Sequence, residues 1–406
     1  MFSASQTDVI SLEQSSIEVD DCFGIDITKQ GFDEKYKKSE SVDFMNRIFD
    51  SLLEDQIGFS IDSEHECKFT KVRIKDSTRY DLPPKLKENF KGNQGKCSSA
   101  AAISIQHERD VCTGKVIDNH FGSIKRTDSE DAMASLGNIE KGDLIIRDLG
   151  YFKTKVFETI AQMEAFFLSR LHAKIKAFDE NDIEISFENV YKKMLKENLT
   201  RLEIQVKIGE ADRLPTRLIL EIIPQEVFEK RIRKNNKEAK KKGYKVSEEF
   251  KARARFNLMI TNVSQEDLPT DKVYLMYKLR WQIELTFKNW KSDYGIDNVR
   301  SMSYNRFMCL MYAKLILILI NNQLINLLGT VLYKKHKKLL SKTKCIKTLS
   351  IYFEKIRAAL FQRSKNIKEF MVDFTLKLSK KHWLEKRKNR TNFIELFELF
   401  ICKSAQ

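Results

Sequence analysis

Residues 277–291 read YKLRWQIELTFKNWK, and four polar positions in that stretch decide how the chain is read. Tyr277, Arg280, Glu284 and Lys291 are separated by three, four and seven positions. At about 100° per residue they fall near ~0°, ~300°, ~340° and ~320°, within an arc of roughly 60° on one helix face. Met276, Leu279, Ile283, Phe287 and Trp290 occupy the adjoining arc and form an apolar edge for a core. A carboxylate, two cations and a phenol at the rim of a core suit a divalent ion and a phosphodiester. Arg280 and Glu284 at i,i+4 are also an ordinary surface pair, so the stripe needs support from the rest of the chain.

Composition supplies some of that support. The 406 residues carry 72 Lys plus Arg against 57 Asp plus Glu, a net charge of +15 that favours a polyanionic partner such as nucleic acid. The length suffices for two or three domains, and 42% hydrophobic residues with 10% aromatic ones exclude general disorder. The seven cysteines include no CxxC pair and the six histidines no HExxH, which argues against zinc and for a hard ion held by oxygen. No secretory signal opens the chain, and a reducing, cytoplasmic setting fits this cysteine usage. Residues 308–332, MCLMYAKLILILINNQLINLLGTVL, are long enough to span a bilayer. Lys314, Asn321, Asn322, Gln323 and Asn326 interrupt them at sites costly in lipid, which predicts a buried core helix and no membrane partner.

Residues 32–53 carry Phe44, Met45, Ile48, Phe49, Leu52 and Leu53 at helical spacing, the mark of a small helical unit. Phe69, Val72 and Ile74 predict a strand whose C-terminal end presents Asp76, closed by the turn at Leu82-Pro83-Pro84. Strands are also expected at 100–106 and 114–117, followed by a short helix at 128–136. The apolar run Leu144-Ile145-Ile146 ends in Arg147-Asp148, so a second carboxylate stands at a second strand end. A helix after Lys153 and a strand at 166–171 follow. Period-two alternation through Leu202, Ile204, Val206 and Ile208, with strands at 218–223 and 256–263, marks 175–262 as β-rich. Within it, KRIRKNNKEAKKKGYK at 230–245 is either a solvated helix face or a phosphate-backbone contact. Beyond residue 301 the chain reads as helical to its end, with basic patches at 334–347 and 380–390.

Asp76, Asp148 and Glu284 stand out by their order on β, β and α elements. Adjacent strands lie about 4.8 Å apart, so acids at neighbouring strand ends can share a divalent ion and a covering helix can deliver a third. Each acid taken alone is equally a turn or capping residue.

The order Asp76, Asp148, Glu284, with Tyr277-x2-Arg280-x3-Glu284-x6-Lys291, resembles the DDE transposases of the bacterial IS4 insertion-sequence group, the Tn5-like enzymes. DSTRYDLPP around Asp76, RDLGYF around Asp148, Ser169-Arg170, MITNV at 259–263 and ITKQGFDEKY near the start extend the likeness over roughly residues 26–300. The resemblance implies an α/β, RNase H-like core, a mixed sheet flanked by helices, interrupted by a β-rich insertion. The expected parts are an N-terminal helical DNA-binding region at 1–66, core segments at 67–174 and 263–300, the insertion at 175–262, and a helical C-terminal region at 301–406. It further implies that Asp76, Asp148 and Glu284 bind two Mg²⁺ ions, with Mn²⁺ able to substitute. Tyr277, Arg280, Lys291 and Arg170 would contact DNA, and Phe256 would stack on a flipped base where a Trp is usual. The implied partners are terminal inverted repeats and target DNA, handled by a homodimer in the cytoplasm at the nucleoid. Two other readings use the same residues: an RNase H-like nuclease without strand transfer, and a catalytically silent, transposase-derived DNA-binding regulator.

Overall fold

The computed structural model describes residues 11–60, 65–93, 99–361, 367–385 and 401–403. The chain opens with helices α1 (Leu12–Phe23), α2 (Lys29–Lys37) and α3 (Ser39–Glu54), followed by strands β1 (His65–Cys67), β2 (Val72–Leu82), β3 (Ala101–Asp110) and β4 (Val116–Ser123). Next come α4 (Asp128–Ala134), β5 (Leu144–Arg147), α5 (Thr154–Gln162) and β6 (Phe166–Arg170). The middle of the chain holds β7 (Ala177–Phe178), α6 (Phe187–Lys196), β8 (Arg201–Ile208), β9 (Leu214–Ile222), α7 (Gln225–Lys242), α8 (Glu248–Ala254) and β10 (Phe256–Thr261). The rest is α9 (Val273–Tyr277), α10 (Trp281–Ser292), α11 (Tyr304–His336), α12 (Lys342–Phe361), α13 (Ile367–Lys381) and β11 (Ile401–Lys403).

These elements form two compact units. The first comprises Met1–Glu66, Lys75–Arg126 and Trp281–Gln406, and the second Cys67–Ile74 and Thr127–Arg280. The division falls within β2, whose residues 72–74 count with the second unit and 75–82 with the first. The fold is the expected mixed α/β class, a large mixed sheet flanked by helices.

In the first unit the strand order is β4-β3-β2, with β3 and β4 antiparallel. Lys75, fully buried, lies 3.8 Å from Glu108 and 3.3 Å from Asp118, an ion cluster that satisfies charges these strands turn inward. His107 of β3 packs on Trp290 and Phe287 of α10 at 4.7 and 6.1 Å between ring centroids. Burial pushes that imidazole down to about 3, so it sits there as a neutral aromatic. The long apolar run is the core helix α11: it has the length and composition of a membrane span, but 56% of that window is buried inside the protein. Its polar residues are spent inside, with the Lys314 ammonium donating to the Gly295 carbonyl, Asn321 to the Tyr294 hydroxyl at 2.9 Å and Asn326 to the Ile57 carbonyl at 3.1 Å.

In the second unit the order is β2-β5-β6-β10-β9-β8-β7. β5 and β6 are parallel, linked by α5, which buries Val156, Phe157 and Ile160 against Phe167 and its neighbours. Each such side chain contributes about 1.5–3 kcal/mol. β10 returns antiparallel between β6 and β9. The fully buried pair Arg73 and Asp143, 2.9 Å apart, ties the start of β2 to the start of β5. Gly142 turns the chain into β5 at φ +82, where a side chain would be strained and its Cβ would stand 2.5 Å from the Thr70 hydroxyl.

Four expectations are corrected. β2 does not end at Asp76 but runs to Leu82, because Thr78 and Tyr80 keep the extended pattern until Pro83-Pro84 stops it. The stretch 277–291 is not one uniform α-helix: residues Lys278–Arg280 form a 3₁₀ turn between α9 and α10. Region 175–262 carries α6, α7 and α8 alongside its strands. The C-terminal region is not wholly helical, since β11 pairs with β1 in a separate two-stranded sheet. Much of the 380–390 basic patch lies outside the described residues.

Candidate active site

Asp148 follows β5 directly, in extended conformation at φ −78, ψ 167, before a short 3₁₀ turn at Leu149–Tyr151. Its carboxylate is 42% exposed. The Tyr277 hydroxyl donates to Asp148 Oδ1 at 3.3 Å, and Arg280 Nε lies 3.9 Å from the same oxygen. The 3₁₀ turn explains why both reach it: at about 120° per residue, three residues close one full turn and set Arg280 in line with Tyr277. Arg170, at the end of β6, lies over the Tyr277 ring at 5.5 Å. Burial, against the pull of the Arg170 guanidinium, pushes the Tyr277 phenol up to about 12, so it remains a hydrogen-bond donor at any physiological pH. The second unit therefore brings together Asp148, Tyr277, Arg280 and Arg170.

Asp76, Glu284 and Lys291 belong to the first unit. Asp76 is half-buried in the middle of β2, and its Oδ1 accepts the Ser77 N–H at 2.8 Å. Glu284 is exposed in the first turn of α10. Lys291, one face along, donates to the Arg79 carbonyl at 3.4 Å and so ties α10 to the strand that bears Asp76. Among the described residues, no three His, Cys, Asp or Glu side chains stand gathered as a metal cluster.

Phe256 is 2% exposed, with Phe187 and Tyr191 at 6.4 and 5.9 Å between ring centroids, and belongs to the second unit's core. It also forms part of the wall of a cleft of about 510 Å³ lined by Arg170, Arg231, Lys234, Arg253 and Tyr274. Arg231 comes from the basic run, and its guanidinium is turned inward, donating to the Phe256 carbonyl at 2.7 Å and to Asn257 Oδ1 at 2.6 Å. The rest of α7 lies largely on the surface.

One organising residue carries no motif. Arg217 of β9 is 5% exposed, grips Glu203 of β8 through two hydrogen bonds of 2.7 Å, and donates to the carbonyls of Val263, Ser264 and Leu268 at 2.6, 2.9 and 3.2 Å. It thereby fastens the β8–β9 hairpin to the segment leading into α9. A lone arginine within an apolar strand was the available signal, and only the pairing of β8 with β9 shows its partner.

Residues 68–320 match the family model described as Transposase DDE domain. The transposase for insertion sequence element IS231F of Bacillus thuringiensis subsp. israelensis is 30% identical over 340 residues, 80% of this chain and 71% of that protein. The transposase for IS1151 of Clostridium perfringens is 28% identical over 379 residues, 89% of this chain and 80% of that protein. Among solved structures, a piggyBac transposase synaptic complex with hairpin DNA covers 80% of this chain and 60% of that chain at 12% identity and a TM-score of 0.41, from which no residue correspondence follows.

Proposed function

Because the chain belongs to the DDE-domain transposases, we propose that it cuts the phosphodiester bonds at the terminal inverted repeats of its own insertion sequence and joins the released ends to target DNA. The observation that carries this reading is the Asp148 carboxylate held at the end of β5 by Tyr277 and Arg280, three motif positions meeting at one oxygen.

Asp76, Asp148 and Glu284 are the carboxylates we assign to metal binding. They fit a divalent ion by donor chemistry, being oxygen-only ligands with neither thiolate nor imidazole, which suits Mg²⁺ or Mn²⁺. Two such ions, when bound, supply charge neutralisation and activation of the attacking oxygen in an in-line displacement. The protein's own groups do the rest. Tyr277 fixes the rotamer of Asp148 through its hydroxyl, and Arg280 balances the carboxylate's charge and adds positive potential for a phosphate. Arg170, exposed beside the Tyr277 ring, and Lys291 are the phosphate contacts that set the register of the DNA backbone. Phe256, packed between Phe187 and Tyr191, is left out of that set.

In the first step water attacks the scissile phosphorus and the bond to the departing 3′-oxygen breaks, leaving a 3′-hydroxyl and a 5′-phosphate. That hydroxyl then attacks a target phosphodiester, exchanging one P–O bond for another with no external energy source. Coordinated cutting of two ends calls for a homodimer that bridges them, acting in the bacterial cytoplasm at the nucleoid. Residues 175–262 are taken as the insertion that interrupts the core.

The test is a cleavage assay on labelled terminal-repeat DNA with Mg²⁺, comparing wild type with Asp148→Ala. Cutting at the repeat ends by wild type alone supports the assignment. Equal cutting by both proteins removes Asp148 from the site, and specific binding without cutting by either favours the regulator reading.

A further inference from the structure

The first unit contains a second cluster of cations that the proposed reaction does not use. A cavity of about 180 Å³ lies behind α10 and is lined by Arg109, Gly114, Thr286, Asn326, Ser341 and Lys342, within otherwise largely apolar walls. Thr286 is two residues from Glu284, about 200° around the helix, so the cavity occupies the face of α10 opposite the acid.

Arg109 is aimed there by a β-bulge, since the β3–β4 register shifts between Glu108 and Arg109. It is 9% exposed, its Nη1 donates to the Thr286 hydroxyl at 3.2 Å, and its buried Nε has no hydrogen-bond partner. Among the described residues the Lys342 ammonium has no ion pair or hydrogen bond. Gly114, at φ +71, leaves the space between them open: a Cβ there would stand 3.1 Å from Lys342 Nζ, 3.1 Å from Asn326 Oδ1 and 3.3 Å from Arg109 Nη2.

The carboxylate beside this cluster, Asp110, serves the adjoining turn, accepting from Cys112 N–H at 3.1 Å, Thr113 N–H at 3.0 Å and the Thr113 hydroxyl at 2.6 Å. Desolvation and the Arg109 guanidinium pull the Lys342 ammonium well below its ordinary value, and burial lowers Arg109 as well. Asp110 is the counter-charge that acts on both, yet the buried Arg109 Nε is left without an acceptor, which is costly. Lys342 also opens the 20-residue helix α12, whose first-turn N–H groups have no acceptor within the helix and whose dipole adds positive potential at the same wall.

We infer that this cavity is a binding site for a phosphate-class oxyanion, held between Arg109, Lys342 and the start of α12. Tetrahedral acceptor oxygens match the unpaired Arg109 Nε, the Lys342 ammonium and the Ser341 hydroxyl, while Thr286, whose hydroxyl donates to the Gln282 carbonyl at 3.1 Å, holds the Arg109 guanidinium in place. The cavity volume suits a single phosphate group, either free phosphate or the terminal monoester of a nucleic-acid end. An ion bound there would brace the back of the helix that carries Glu284.

The test is calorimetric titration of the full chain with inorganic phosphate up to about 10 mM, repeated with a short DNA oligonucleotide bearing a 5′-phosphate and with its 5′-hydroxyl counterpart. Saturable one-to-one phosphate binding is expected, weakened at least tenfold in Lys342→Met and in Lys342→Gln. Both variants remove a poorly solvated charge and keep the bulk, so thermal melts should show them folded. Competition by the 5′-phosphate oligonucleotide alone identifies a nucleic-acid end as the source, and competition by neither identifies free phosphate. Absence of saturable binding by wild type, or binding unchanged in both Lys342 variants, overturns the site. None of these readouts needs DNA cleavage, so the result stands apart from the catalytic assignment.

Discussion

The Tyr277 hydroxyl donates to Asp148 Oδ1 at 3.3 Å, joining the residue that opens the signature segment to the acid at the end of β5. With Arg280 3.9 Å from the same oxygen, the carboxylate meets the last residue of α9 and the last residue of the 3₁₀ turn that follows it. A hydrogen bond to a charged group contributes about 1.5–3 kcal/mol. Tyr277→Phe should therefore slow single-turnover cleavage of terminal-repeat DNA by roughly 10- to 150-fold while leaving DNA affinity nearly unchanged. A wild-type rate in the Phe variant would show that the phenol does not orient Asp148.

Glu284 is exposed on α10, so replacing it with Gln should cost little stability. Glu284→Gln is expected to bind the inverted repeat like wild type and to lose cleavage altogether. Electrophoretic shift and nicking assays on the same preparation separate the two properties, and full nicking by the variant would exclude the acid.

Arg170 is exposed and stands over the Tyr277 ring at the mouth of the basic cleft. As a phosphate contact, its loss should weaken all DNA sequences alike and reduce the salt dependence. Arg170→Ala should lower the magnitude of the slope of log K against log salt by about 0.9. Fluorescence anisotropy at several salt concentrations measures this, and an unchanged slope would leave Arg170 a purely structural partner of Tyr277.

Arg217 is the buried clamp of the second unit. Arg217→Met would take the guanidinium from three carbonyls and leave the Glu203 charge with only the Thr270 hydroxyl beside it, at an expected cost of about 3–5 kcal/mol. The double variant with Glu203→Leu should recover part of that loss, because the uncompensated charge is then gone. Urea unfolding of the two variants gives the comparison.

Glu203 also predicts a pH dependence. Although burial opposes ionisation, hydrogen bonds from Arg217 and Thr270 hold its carboxyl below the ordinary value. A carboxyl whose folded value is depressed adds stability above its unfolded value of about 4.3, and that stability is lost as pH falls through the folded value. Melting temperature should therefore fall as the pH drops below the unfolded value and through the depressed folded one, and Glu203→Gln should flatten that slope while being less stable at neutral pH.

Much of the core was legible in the residues. The run Leu144-Ile145-Ile146 announced β5, and Asp148 stands at its end as expected. The apolar edge Ile283, Phe287 and Trp290 is buried, as helical spacing required. Asp76 was misplaced because periodicity reports which face a residue takes and says little about where pairing stops; β2 continues past it to the prolines. The 3₁₀ turn at 278–280 escaped because α and 3₁₀ phases differ by only about 20° per residue.

What the sequence determined by itself was local: strand and helix periods, the polar stripe of the signature segment, the order of the three acids and the cationic balance. Each follows from the chemistry of neighbouring residues. Tertiary structure alone decided that β10 enters between β6 and β9, that Arg217 finds Glu203, and that Arg109 and Lys342 share a cavity although 233 positions separate them. Those pairings depend on which surfaces the folded chain brings together, and no local pattern encodes them.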